Sequence, residues 1–202
     1  MAFTYFFRDL HILEIISKYA LPVLASKKYM KIWDAGCAMG QEPYSLAMVL
    51  SENMGYMYFR NVKILATDID QSNLFDKIIG EGIYPAEQTQ RIPRDIFNKY
   101  FEASEKEGHF ILNETIRKSV KFKRHDLLSL EPPDTDFGLI ICKNVLLHFN
   151  EEQRIAVIKM YYDALMEGGY LAFEQTQKMP KELVHLFEPV VSNGQVFKKK
   201  EN

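Results

Sequence analysis

Two acids stand beside segments built for close ligand contact. Glu42 follows a turn of small residues, Ala35-Gly36-Cys37-Ala38-Met39-Gly40, and Asp68 closes the apolar run Val62-Lys63-Ile64-Leu65-Ala66-Thr67. Glycine permits positive φ and lets backbone approach a ligand. Glu42 falls at the start of the helix that follows, where a carboxylate is favoured, and Pro43 suits the first helical position. A turn that cradles phosphate offers free N–H groups at a positive helix end. Here a carboxylate repels an anion and a proline removes a donor. A dinucleotide fingerprint G-x-G-x-x-G also fails, because Ala38 and Gln41 occupy its later glycine positions. A P-loop fails too, since no Gly-Lys-Ser/Thr follows the turn.

The turn therefore suits a cationic ligand, such as the methionyl amino group or sulfonium of S-adenosylmethionine (SAM). An ordinary tight strand–helix turn has the same outline. An acid ending the second strand can accept hydrogen bonds from both ribose hydroxyls, and Asp68 is the better placed for this. Asp70 could instead cap a helix beginning near Ser72. Joined to the upstream glycine turn, the ribose reading of Asp68 becomes the stronger one.

The elements that must position these residues alternate. A helix is expected over 8–25, a strand over 30–35, and a helix from the glycine turn to about residue 53. A strand over 61–67 and a helix over 71–79 follow, and Gly80, Gly82 and Pro85 break the pattern. Residues 93–103 suggest a short helix. Over 108–124, Phe110, Leu112, Ile116, Val120 and Phe122 alternate with polar residues, and Asn113-Glu114 suggests a hairpin turn. Arg117, Lys118, Lys121, Lys123 and Arg124 make this the most basic part of the chain, either a solvated strand face or a docking surface for an acidic partner. Beyond it come a buried strand over 136–142, a helix capped by Asn150 and running to about Met166 before Gly168-Gly169, and a strand over 170–173. A short helix over 181–187 and a hairpin over 189–199 turning at Asn193-Gly194 complete the chain. The expected fold is α/β, a mostly parallel Rossmann-like sheet with an antiparallel C-terminal hairpin strand.

With 202 residues, 47% of them hydrophobic, the chain suits one domain with a small insertion. The net charge of −2 argues against a general nucleic-acid binder. Two cysteines, Cys37 and Cys142, cannot form a disulfide framework, and both fall in segments expected to be buried. No apolar run reaches transmembrane length and the N-terminus shows no signal-peptide pattern, so a cytoplasmic protein without membrane insertion is expected. His109, His125 and His148 are isolated, and no Cys/His spacing suits a metal.

In these residues the chain resembles the CheR family of chemotaxis-receptor glutamate methyltransferases. The matching segments are Thr4-Tyr5-Phe6-Phe7-Arg8-Asp9, Ala35-Gly36-Cys37 with Gly40-Gln41-Glu42-Pro43-Tyr44-Ser45, Ala66-Thr67-Asp68-Ile69-Asp70, Gly82-Ile83-Tyr84, Lys99-Tyr100-Phe101 and Cys142-Lys143-Asn144-Val145 to Phe149. The resemblance implies a class I SAM-dependent methyltransferase over 1–202, with an inserted helix and small β-subdomain over 83–124 that helps engage the receptor. Thr4 and Arg8 would contact the methionyl end of the cofactor, with Arg8 also close to the methyl acceptor. Glu42 would bind the amino group and Asp68 the ribose. Gly36 belongs to the same cofactor turn, Asp126 and Leu127 would lie by the adenine, and Lys143 and Asn144 would end a strand beside the cofactor.

The chain departs from the family pattern mainly on the acceptor side. His148 stands where the family usually has a catalytic-site tyrosine, Lys143 replaces an arginine, and Glu174-Gln175-Thr176-Gln177 replaces Gly-His-Ser-Glu. Ala2 stands where an asparagine is common, and the usual N-terminal helical domain is not seen. A carboxylate acceptor is already ionised at neutral pH, so positioning by Arg8, and by His148 if it meets the acceptor, is the chemistry required. The expected product is S-adenosylhomocysteine (SAH) with a methyl ester, formed on a protein acceptor such as a chemoreceptor cytoplasmic domain. The alternatives are a CheR-like enzyme with another protein or small-molecule acceptor, or a SAM- or SAH-binding regulatory module.

Overall fold

The structure is a computed structural model and describes residues 4–26 and 30–201. Ala2 lies outside those residues. Helices α1 (Leu10–Ile15) and α2 (Leu21–Leu24) are joined by a π-helical turn into one continuous helical segment, which begins at Leu10 and not at residue 8: Arg8 lies in the turn before it and Asp9 is left-handed. Strand β1 (Met30–Ala35) leads through the glycine turn into α3 (Gln41–Met54) and the short α4 (Tyr56–Phe59). Then come β2 (Val62–Asp68), α5 (Phe75–Glu81), β3 (Ile83–Pro85), α6 (Ala86–Thr89), α7 (Arg94–Tyr100), β4 (Phe101–Ala103) and β5 (His109–Leu112). The chain continues with α8 (Glu114–Ser119), β6 (Val120–Arg124), β7 (Phe137–Cys142), α9 (Glu151–Ala164), β8 (Leu165–Phe173), β9 (Phe187–Pro189) and β10 (Val196–Lys199).

Seven strands form the main sheet in the order β6-β2-β1-β7-β8-β10-β9. The first five are parallel, and β10 and β9 close the edge as an antiparallel hairpin. The fold is thus the expected α/β sheet. Parallel strands are covered on both faces. On one face Ile32, Ile64, Leu139 and Ile141 pack with Leu13, Ile16, Leu46 and Ala47 from the helical layer. On the other, Trp33, Ile140 and Leu171 meet Val157, Ile158 and Tyr161 of α9, with the Trp33 and Tyr161 rings edge to face at 5.1 Å. After β1 the chain moves to β2 on one side and later returns to β7 on the other. This reversal is the topological switch point at which open α/β sheets hold ligands.

Further local expectations are corrected, among them the short helix over 93–103, which ends at Tyr100 because Phe101–Ala103 pairs with β5. Asn113-Glu114 is no hairpin turn: Asn113 caps α8, its Oδ1 accepting from the Ile116 N–H at 3.0 Å. Asparagine is favoured at turns and helix caps alike, so the residue type was ambiguous. The alternating residues therefore split. The three-stranded sheet β3-β5-β4 ends at Leu112, whereas Val120–Arg124 joins the main sheet parallel to β2. Helix α9 stops at Ala164 rather than Met166, because Leu165 already pairs with Phe137 of β7 and is buried. Helix α5 begins at Phe75, later than expected, because the Asp70 carboxylate holds the preceding turn by accepting from Ser72 Oγ and the N–H groups of Leu74 and Phe75.

Candidate active site

The carboxyl ends of β1, β2, β6 and β7 open into a cavity of about 900 Å³. The turn after β1 is shaped for it. Gly36 has φ +98°, and a Cβ there would stand 2.1 Å from Val145 Cγ2. No side chain fits, so the turn backbone borders the cavity directly. Gly40 is similar: it starts α3 at φ +94°, and a Cβ would meet the Tyr84 hydroxyl at 2.9 Å and Ile79 at 2.8 Å.

Asp68 fastens this turn. Its Oδ2 accepts from the Ala38 N–H at 3.0 Å and its Oδ1 from the Asp70 N–H at 3.2 Å. A carboxylate offers about four acceptor positions, so capacity remains for a diol. The Asp68 carbonyl accepts from the His125 N–H at 2.9 Å, which brings the end of β6 alongside. There Asp126 caps a short 3₁₀ turn that starts at Leu127, accepting from the Leu128 N–H at 2.9 Å.

The opposite side of the cavity is electrostatically unusual. Lys143, with its side chain 1% exposed, places Nζ 3.1 Å from Glu42 Oε2 and 3.8 Å from Asp9 Oδ2. It also donates to the Arg8 carbonyl at 2.7 Å. Glu42 Oε1 is buried and has no hydrogen-bond partner among the described residues. Burial pushes the Glu42 carboxyl above its usual range, and Lys143 pulls it part of the way back. Asn144, at φ +60°, is fixed by its N–H donating to Glu174 Oε2 at 3.0 Å.

Every sequence-expected site residue lines this one cavity: Thr4, Arg8, Gly36, Glu42, Asp68, Asp126, Leu127, Lys143, Asn144 and His148. His148 is exposed and sits in the 3₁₀ turn Leu146–His148 at the rim. Sequence reasoning passed over two acids. Asp34 is fully buried, and neither carboxylate oxygen has a hydrogen-bond partner among the described residues. Burial first, and Glu42 next, push it well above the carboxylate range. A charged residue inside the apolar run Met30–Ala35 was the available signal. Glu174 had another: it directly follows β8, much as Asp68 ends β2.

A sequence profile described as "CheR methyltransferase, SAM binding domain" matches residues 2–195. This chain belongs to the CheR family. The chemotaxis protein methyltransferase of Borreliella burgdorferi is 35% identical over 176 residues, covering 83% of this chain and 61% of that protein. That of Listeria monocytogenes is 33% identical over 168 residues, covering 82% and 61%. The chain thus spans 61% of the length of these two relatives. A solved structure, that of PKMT2 from Rickettsia typhi in complex with AdoHcy, is 16% identical with a TM-score of 0.49, covering 85% of this chain and 26% of that one.

The cofactor of the CheR domain is SAM, and the residues present fit it. Glu42 leaves a buried, unpartnered carboxylate oxygen for an ammonium group, and an orphan of that kind calls for a partner. Asp68 keeps acceptor capacity for a ribose, and Gly36 leaves no side chain between backbone and ligand.

Proposed function

We propose that this CheR-family chain methylates glutamate carboxylates of a protein acceptor, the cytoplasmic domain of a chemoreceptor. The observation that carries the reading is the buried free oxygen of Glu42, in one cavity with Asp68 and Arg8. Bound SAM supplies an electrophilic methyl group on its sulfonium. The chain's residues bind, orient and exclude water. Glu42 would hold the amino group and Asp68 the ribose hydroxyls, with Asp126 and Leu127 beside the adenine. Thr4, Lys143 and Asn144 would complete the cofactor contacts.

Arg8 would grip the acceptor carboxylate by a two-pronged guanidinium contact, which suits planar carboxylates. That carboxylate is ionised at neutral pH and requires no general base. Alignment and exclusion of water are then the main contributions. His148, at the exposed rim, would meet the acceptor. In this reading 1–202 is one cytoplasmic methyltransferase domain. The inserted unit within 83–124 faces the receptor, presenting the β3-β5-β4 sheet.

Incubation with tritiated SAM and a receptor cytoplasmic fragment tests this. Alkali-labile methyl label, the mark of a carboxyl ester, is expected. Alkali-stable label, or none at all, would overturn it.

A further inference from the structure

The segment that carries Arg8 is held in an awkward shape. Phe7 and Asp9 both adopt left-handed backbone, at φ 58° and 53°. For non-glycine residues this costs about 1–2 kcal/mol each and persists only where neighbours impose it. The neighbours are identifiable. The Phe7 N–H donates to Ser45 Oγ at 2.8 Å, and Ser45 in turn donates to the Gln41 carbonyl of α3 at 2.6 Å. Lys143, from the end of β7, donates to the Arg8 carbonyl at 2.7 Å.

Lys143 therefore touches two things at once: the backbone under Arg8 and the carboxylate of Glu42. It also lies close to two acids that each keep an oxygen without a hydrogen-bond partner among the described residues. One is Oε1 of Glu42, whose other oxygen Nζ contacts, and the second is Asp9 Oδ2, buried and 3.8 Å from Nζ. At that distance the Asp9 contact is an ion pair that has not closed into a hydrogen bond.

We propose that Lys143 is a positioning residue that relays filling of the cofactor site to the Arg8 segment. A ligand ammonium arriving at Glu42 makes two cations share one carboxylate. Their repulsion, and the competition for Glu42, drive Nζ toward Asp9, whose orphaned oxygen gains a charge-assisted hydrogen bond. Asp9 adjoins Arg8, and Lys143 already holds the Arg8 carbonyl, so closing this pair stiffens the segment that faces the acceptor. Cofactor binding then precedes and favours acceptor binding. The differential contact between the two states is the Lys143–Asp9 pair, as any ligand-driven change requires. The inference rests on the cofactor assignment and is independent of the acceptor's identity.

The test is hydrogen exchange of the full chain at Thr4–Leu10, with and without saturating SAH, alongside calorimetry of SAH binding. In the wild type, SAH is expected to slow exchange of this segment about tenfold. Asp9→Asn, a near-isosteric change at a partly exposed side chain, is expected to bind SAH within about threefold of wild type while losing that protection. Lys143→Arg keeps a cation between the two acids and is expected to retain it. Undiminished protection in Asp9→Asn would overturn the relay. Loss in both variants would show general loosening and overturn it as well. No calorimetric signal for the wild type would overturn the cofactor assignment itself, a failure distinguishable from failure of the relay.

Discussion

Glu42 and Lys143 form an ion pair at 3.1 Å with the lysine side chain 1% exposed, joining the first turn of α3 to the end of β7. Removing one member of such a buried pair leaves the other uncompensated and costs more than the pair contributes. The pair also leaves Glu42 Oε1 without a hydrogen-bond partner among the described residues, the oxygen that the proposed cofactor site would offer to a cation.

Glu42→Gln should weaken SAM binding about 10- to 100-fold, the loss of one charge-assisted hydrogen bond. Ammonium binding needs the ionised carboxylate. Because burial raises the Glu42 carboxyl above 4.5, wild-type affinity should fall on acidification at a pH above the ordinary carboxylate range. Calorimetry across pH should show this slope in the wild type and a flatter profile in Glu42→Gln.

Asp68 has two duties, and substitutions should separate them. Asp68→Ala removes the ribose acceptor together with the acceptor for the Ala38 N–H. Asp68→Asn can keep one carbonyl oxygen for Ala38. SAM affinity should fall about 10- to 100-fold in Asp68→Ala and less in Asp68→Asn. Equal losses by calorimetry would mean that fastening the turn contributes nothing to binding.

Asp34 should govern how stability changes with pH. Its folded-state carboxyl titrates well above 3.8, with burial the first cause. The folded state therefore binds more protons than the unfolded state once the pH exceeds 3.8, and stability falls as pH rises toward the folded value. Asp34→Asn cannot ionise and should lack this slope. Denaturant melts should show the variant gaining stability relative to wild type as the pH rises above the ordinary carboxylate range.

Gly36→Ala should be severe, because the new Cβ would meet Val145 Cγ2 at 2.1 Å while the backbone stays at φ +98°. Overpacking and left-handed strain together should cost about 2–5 kcal/mol. The double variant Gly36→Ala/Val145→Ala relieves the clash but not the backbone strain. Thermal melts should show partial recovery of stability.

Some of this protein follows from the chain read locally. Strand, small-residue turn and helix start are consecutive in 30–54, so period, glycine spacing and the Glu42-Pro43 start suffice to place a cofactor turn there. Asp68 was legible for the same reason, as an acid ending a β-period run. The hairpin expected at Asn113-Glu114 failed because a cap and a turn use the same side chain, and only the partner strand decides between them. That β6 pairs with β2 rather than β5 is a long-range choice.

The electrostatics of the site were decided by the tertiary structure alone. Lys143 lies far along the chain from both Glu42 and Arg8, yet contacts both. Asp34 reads as one acid in a strand until burial strips its solvent and leaves its oxygens without a hydrogen-bond partner among the described residues. Sequence fixes which groups exist and the local backbone that carries them. Charge pairing and desolvation depend on which distant groups the fold brings within a few ångströms, and no local pattern encodes that.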